Sequence, residues 1–355
     1  MSTITFLFPG HAHVPCGGNK VVNEYANRLA SDGHEVHIVY AGSLFWGQKS
    51  LYFKATNIYR YVERWLKGYS CRQWFTLHPS IKEHFAWSLN HRHVPQSDIY
   101  ICTSPYTAMY LKDYPTNKKY YFIQDYENWG DVTEEKLRET YHYPLHKIAI
   151  STWLQRIINE EGEDCSLVPN GFDFNYFHQT IPFEQKDKYR ITMLYHKMSR
   201  KDCACGFSAL EIVKKQHPSL KVNLFGTPER PEHLPEWYEY TQRPDRDTHN
   251  RLYNEAAMFI GTSRVEGWGL PVGEAMICGA AVACTDNPGY LEMVKDGETA
   301  LVSPIGDSER LAHNIIRLIE DDTLRLQIAQ NGHAHIQRFT WDTSYQQFKA
   351  AIHLP

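Results

Sequence analysis

The run Glu266-Gly267-Trp268-Gly269-Leu270-Pro271-Val272-Gly273-Glu274-Ala275-Met276 sets two carboxylates around a loop with closely spaced glycines. Glycines at 267 and 269 let backbone N–H groups approach a ligand closely. Pro271 suits the first position of a helix, whose positive dipole end then points at the same ligand. Such an arrangement suits a diphosphate. Glu266 on the loop and Glu274, expected in the first helical turn, both point into one crevice. Carboxylates accept hydrogen bonds from hydroxyls, so a polyol such as ribose or a hexose fits the pair. A tight turn with a glutamate complementing the helix dipole accounts for the same residues without any ligand. The motif alone leaves both readings open.

Tyr195-His196-Lys197-Met198-Ser199-Arg200-Lys201 follows another strand-like run. Parallel sheets bind ligands at the carboxyl ends of their strands. There His196, Lys197, Arg200 and Lys201 can neutralise a diphosphate and the charge that grows on it as it departs. A solvated basic loop is the alternative. Pro15-Cys16-Gly17-Gly18-Asn19 reads as a glycine-rich anion cradle before the first helix, or as an ordinary strand-to-helix turn. Gln124-Asp125 follows a third apolar run, and Tyr240-Thr241-Gln242-Arg243 is placed to border a base. Asp245-Arg246-Asp247 has the spacing of a cation-binding pair. It lies in a polar loop entering a helix, where aspartate caps, so no metal is expected there.

These residues need elements to hold them. The chain has 355 residues, too many for one small core, and the length suggests two domains. Charge is nearly balanced at −4, which argues against a nucleic-acid coat. The eight cysteines are scattered, with neither a zinc knuckle nor a redox pair, as expected of a reduced cytoplasmic protein. No apolar run is long enough to span a bilayer, and the N-terminus reads as a first strand rather than a leader. Aromatic residues make up 14%, which suits either core packing or stacking on sugars and bases.

Apolar runs at Thr3–Phe8, Glu35–Tyr40, Ile99–Thr103, Tyr120–Ile123 and Lys147–Ser151 alternate with helical patterns such as Asn19–Asp32. A second series runs through Ile191–Tyr195, Lys221–Phe225, Met258–Thr262 and Ala281–Cys284. Strand–helix–strand units of this length imply parallel sheets. The turn-forming cluster Val168-Pro169-Asn170-Gly171-Phe172-Asp173 separates the two series. Leu51–Pro95, dense in rings and cations, breaks the rhythm.

Glu266 and Glu274 form the Glu-x7-Glu pattern of retaining family 4 glycosyltransferases, and Met258–Leu301 resembles that family almost throughout. Glu274-Ala275-Met276, Cys278-Gly279, Thr285-Asp286, Gly289 with Glu292, and Asp296-Gly297-Glu298-Thr299 carry the likeness. Asn170-Gly171-Phe172-Asp173 and Phe339-Thr340-Trp341 are similar to that family's inter-domain segment and tail. The resemblance implies an α/β GT-B fold: two Rossmann-like parallel-sheet domains, 1–172 and 173–338, facing across a cleft. The tail 339–355 would form a helix crossing back to the first domain.

It implies a retaining, metal-independent hexosyl transfer from a nucleotide sugar, with UDP favoured and dTDP or GDP alternatives, and no cofactor. The acceptor would be a glycan or a lipid-linked molecule of surface polysaccharide synthesis, with a peripheral contact at the inner membrane face. By the same resemblance Glu266, Lys201 and Asp125 act in catalysis. Gly17, Gly18, His196, Lys197, Arg200, Lys201, Arg243, Gly267, Trp268, Gly269, Leu270 and Glu274 would bind substrate. The family's arginine falls on His196 or Lys197, and its usual glycine is replaced by Asp202. A non-catalytic nucleotide-sugar-binding subunit and a nucleotide-sugar epimerase are the rival readings. Acceptor specificity is expected in 51–95, where Tyr61, Arg64 and Trp65 recur at helical spacing. The alternative is a helix that packs those rings inward.

Overall fold

The structure is a computed structural model describing residues 1–10, 15–42, 44, 50–68, 70–128 and 132–355, with backbone alone at 53, 54, 57 and 64. The chain divides into two compact units, Met1–Pro169 with Ser344–Pro355, and Asn170–Thr343.

In the first unit seven strands form one parallel sheet: β1 (Thr3–Phe8), β2 (Glu35–Ala41), β3 (Lys82–Ala86), β4 (Ile99–Cys102), β5 (Lys119–Ile123), β6 (His146–Ala149) and β7 (Cys165–Leu167). Their order is β3-β2-β1-β4-β5-β6-β7. The connecting helices are α1 (Gly17–Ser31), α2 (Leu51–Lys67), α3 (Pro105–Leu111), α4 (Glu134–Tyr141) and α5 (Thr152–Glu160). β1 is buried at every position from Ile4 on, Thr5 included, because helices cover both faces of a parallel sheet. It pairs Ile4 with Val36 on one side and with Ile99 on the other. Val22, Tyr25, Ala26 and Leu29 recur at helical spacing and give α1 its buried face. Phe348, near the end of the chain, stacks on Tyr25 with ring centroids 4.1 Å apart, so residues 344–355 complete this core.

The second unit carries a six-stranded parallel sheet: β8 (Asp187–Leu194), β9 (Lys221–Gly226), β10 (Tyr238–Gln242), β11 (Ala256–Gly261), β12 (Ala281–Thr285) and β13 (Leu301–Ser303). The order is β10-β9-β8-β11-β12-β13. Its helices are α6 (Cys203–Gln216), α7 (Arg246–Glu255), α8 (Leu270–Ile277), α9 (Pro288–Leu291), α10 (Ser308–Glu320) and α11 (Asp322–Ile336). The division between units falls inside α12 (Trp341–Ala351). β11 and β12 are buried at every position, and Leu311, Ile315 and Leu318 of α10 pack on the core beside α6.

Three elements correct the sequence reading. The disruptive stretch 51–95 holds α2 and the edge strand β3, whose Lys-Glu-His-Phe-Ala sequence hides its strand character. Charge suits an exposed edge, and Lys82 pairs with Glu35 at 2.6 Å. The first helix starts at Gly17, not Asn19, so both glycines lie inside its first turn. Glu274 is the fifth residue of α8, beyond the first turn where it was expected.

Candidate active site

Open α/β sheets take ligands at the carboxyl ends of neighbouring strands where the winding reverses. In the second unit that place lies between β8 and β11. The loop after β8 carries His196 to Lys201, and the loop after β11 carries Ser263 to Gly269. Sheet order alone therefore puts the cationic turn beside the Glu266 loop.

Side-chain geometry joins them. Lys201 Nζ donates to Glu266 Oε1 at 2.5 Å, and Ser263 Oγ donates to the same oxygen at 2.7 Å. Both partners are largely withdrawn from water, with side-chain exposures of 16% for Lys201 and 10% for Glu266. The loop is held from below by Thr285 Oγ1 and Asn287 Nδ2, which donate to Ser263 O at 2.6 and 3.0 Å. Gly289 is required here, because a Cβ would lie 2.3 Å from Glu266 O. Gly269 takes φ +94° as the residue before α8, and a Cβ there would meet the Tyr290 ring at 2.4 Å. These two close approaches set the entry of α8, whose first residues are Leu270 and Pro271.

Glu274 is 6% exposed and accepts a hydrogen bond from Tyr253 Oη at 3.1 Å. Burial, and then the Glu274 carboxylate, push the Tyr253 phenol far above its ordinary range, so it stays a donor. Trp268 turns its ring into the unit, edge-on to Phe339 with centroids 5.4 Å apart. Gly267 is also buried.

The cationic turn is short. Ser199–Lys201 forms one 3₁₀ turn, with Lys197 exposed just before it. His196 Nδ1 accepts from Met198 N at 3.0 Å, which leaves the proton on Nε2. Burial, and then the cations Lys201 and Arg200, lower the His196 pKa below its usual value. His196 is therefore a neutral donor near pH 7, and Lys197 and Arg200 carry the positive charge around Lys201. Arg243 stands apart. It is exposed after β10, at the sheet edge, and its N–H donates to Gly226 O at 2.8 Å.

In the first unit the winding reverses between β1 and β4, and α1 opens near the carboxyl end of β1. Cys16 precedes α1 in extended conformation and makes no side-chain cap. A Cβ on Gly18 would come within 3.5 Å of Gln124 Nε2, and Gln124 Oε1 is buried with no partner among the described residues. Asp125, the expected catalytic group, is buried, and its Oδ1 accepts from Tyr126 N at 2.9 Å. Gln124 borders Gly18.

Asp245 caps α7, accepting from Thr248 N at 2.8 Å. Among the described residues no group of three or more His, Cys, Asp or Glu side chains is placed to hold a metal ion. Ser263 and Tyr253 bond Glu266 and Glu274 and were not among the candidates read from the sequence, whereas Gln124 was read there beside Asp125. The only sequence signal of Ser263 and Tyr253 is position, on a loop or helix flanking the motif residues.

The stretch at 51–67 divides its aromatics. Tyr61 stacks on Phe85 at 4.9 Å and meets Trp87 edge-on at 5.0 Å, anchoring α2 inward. Leu51, Tyr52, Ile58, Tyr59, Val62, Trp65 and Leu66 are exposed, Trp65 by 65%. At helical spacing these fall within an arc of roughly 140°. The side chains of Phe53, Lys54 and Arg64, and all of Tyr69, lie outside the described residues. Among the described residues no helix is long and apolar enough to cross a membrane.

Comparison with known proteins bears on the fold. Residues 182–335 match the family model described as glycosyl transferases group 1. The O-antigen chain mannosyltransferase B of Escherichia coli is 34% identical over 104 residues, 29% of this chain and 26% of that protein. A phosphatidyl-myo-inositol mannosyltransferase of Mycolicibacterium smegmatis is 23% identical over 216 residues, 58% of this chain and 56% of that one. The matches thus span from a quarter to just over half of these relatives. Among solved structures, HepE of Anabaena in complex with UDP-glucose superposes with a TM-score of 0.74 at 17% identity, over 99% of this chain and 100% of that one. Sucrose-phosphate synthase from Thermosynechococcus elongatus superposes with a TM-score of 0.72 at 16% identity, over 99% and 98% of the chains. With its two parallel sheets, the chain has the GT-B fold.

Proposed function

Starting from residues 182–335 as those of a group 1 glycosyl transferase, we propose that the chain moves a sugar from a nucleotide-sugar donor to a glycan or lipid-linked acceptor in surface polysaccharide synthesis. The observation that carries the reading is Lys201 bonded to Glu266 at the switch point, with buried Glu274 on the adjoining helix. In this reading Glu274 accepts the ribose hydroxyls and Glu266 the sugar hydroxyls. Lys201, Lys197 and Arg200 hold the diphosphate with the amides at 267–270, and neutral His196 adds a donor. Gly17, Gly18 and Gln124 belong to the substrate-binding residues of the first unit.

The reaction proceeds with retention and without metal. The leaving phosphate takes the acceptor proton, and Lys201 stabilises the charge that grows on it. UDP is the favoured donor base, since HepE is solved with UDP-glucose. In this reading the chain is a member of retaining family 4. The acceptor is reached at the inner membrane face. The exposed apolar stripe of α2 lies in the lipid interface. A donor-hydrolysis screen over UDP, dTDP and GDP sugars tests the reading. Release of nucleoside diphosphate from one of them is expected. Binding without any release points instead to a non-catalytic subunit.

A further inference from the structure

Three consecutive residues of the cationic turn are each tied to the loop after β11. Arg200 O accepts from Arg264 N at 2.7 Å, and Lys201 O accepts from Thr262 Oγ1 at 2.8 Å. Asp202 Oδ2 accepts from Arg264 Nη1 at 2.8 Å. Asp202 itself sits in the left-handed region, at φ 44° and ψ 44°, as the N-cap of α6. Its other oxygen, Oδ1, accepts from Cys205 N at 3.3 Å. A glycine would hold this backbone conformation without strain. Aspartate tolerates it and supplies the cap. The cost is a carboxylate next to Lys201, in a site read as binding a polyanion.

Arg264 answers that carboxylate. Its guanidinium runs against Gly306, where a Cβ would come within 3.1 Å of Nη1. Without Arg264, the carboxylates of Asp202 and Glu266 would cancel the charges of Arg200 and Lys201. We propose that Arg264 is a positioning residue of the diphosphate site, which neutralises Asp202 and fixes the 200–202 turn, so that the Asp202 carboxylate does not add to that of Glu266 in opposing Lys201 and Arg200 at the phosphates. The inference rests on the nucleotide-sugar reading and adds a residue which that reading does not use.

Stability is not its main effect. The Arg264 side chain is 52% exposed, and exposed ion pairs add little to folding, about 0–1 kcal/mol. The effect on a polyanion acts through the local potential and depends on salt.

The test is calorimetric titration of UDP and of inorganic pyrophosphate into the full chain and three variants. Arg264→Ala should weaken UDP binding roughly three- to tenfold at low salt, with the deficit shrinking at high salt. Asp202→Gly should bind at least as tightly as the parent, since glycine suits the backbone and replaces an N-cap at little cost. The double variant should match Asp202→Gly, because without the carboxylate Arg264 has nothing to offset. A merely structural junction would instead make both single variants weaker and the double variant weakest. That outcome overturns the inference, as does Arg264→Ala binding at parental affinity. Failure of the parent protein to bind UDP, dTDP or GDP overturns the donor reading and this inference together.

Discussion

Glu274→Gln isolates the charge that the donor reading places on the ribose. Alanine would be a poorer probe. Glu274 is 6% exposed and accepts from Tyr253, so truncation would strand a buried phenol, costing about 1–3 kcal/mol. Glutamine keeps the volume and an acceptor for Tyr253, and removes only the ionised oxygen. A hydrogen bond to a charged acceptor contributes about 1.5–3 kcal/mol, against about 0.5–1.5 for a neutral one. Burial leaves little solvent screening, so the difference should appear as roughly a five- to tenfold rise in Kd for UDP. Calorimetry with UDP and its 2′-deoxy counterpart makes the test specific. The parent should prefer the ribose form, and Glu274→Gln should lose most of that preference. An unchanged Kd, or a ribose preference that survives the substitution, refutes the assignment.

Lys201→Ala should lower kcat by roughly 10²–10³ while weakening donor binding far less, because the phosphate charge it meets grows in the transition state; steady-state kinetics with a loss confined to KM would reassign it to ground-state binding. Chelator should leave transfer unchanged, and activity abolished by chelator and restored by manganese would contradict metal independence. Tyr59, Trp65 and Leu66 changed together to Ser should reduce co-sedimentation with anionic vesicles while donor hydrolysis persists. Arg72 should be left intact in such a variant, since it bonds Glu83 and the carbonyls of Leu77 and Ile81; undiminished vesicle binding would assign the stripe another role.

Much of this architecture is legible in the residues. Apolar runs such as Thr3–Phe8 and Met258–Thr262 mark strands covered on both faces, and the Glu266–Met276 motif announces its strand–loop–helix setting. The edge strand β3 is not legible, because its charges answer to solvent rather than to a core. That Gln124 borders Gly18 depends on which way the backbone turns its side chain, and neighbouring residues in sequence carry no record of that. The role of Asp202 shows only once its backbone angles are known, since they explain both a usual glycine and its replacement by a capping aspartate. The state of His196 likewise follows from Met198 N and the nearby cations, not from its residue type.

The central claim is that the Lys201–Glu266 pair marks a glycosyl-transfer site. Donor turnover by the parent chain and by Glu266→Gln, followed side by side, tests it most directly. The parent should release nucleoside diphosphate in excess over enzyme from one donor, and Glu266→Gln should bind that donor yet release far less. Equal release by the two proteins would place the chemistry elsewhere, and no release by either would contradict the account outright.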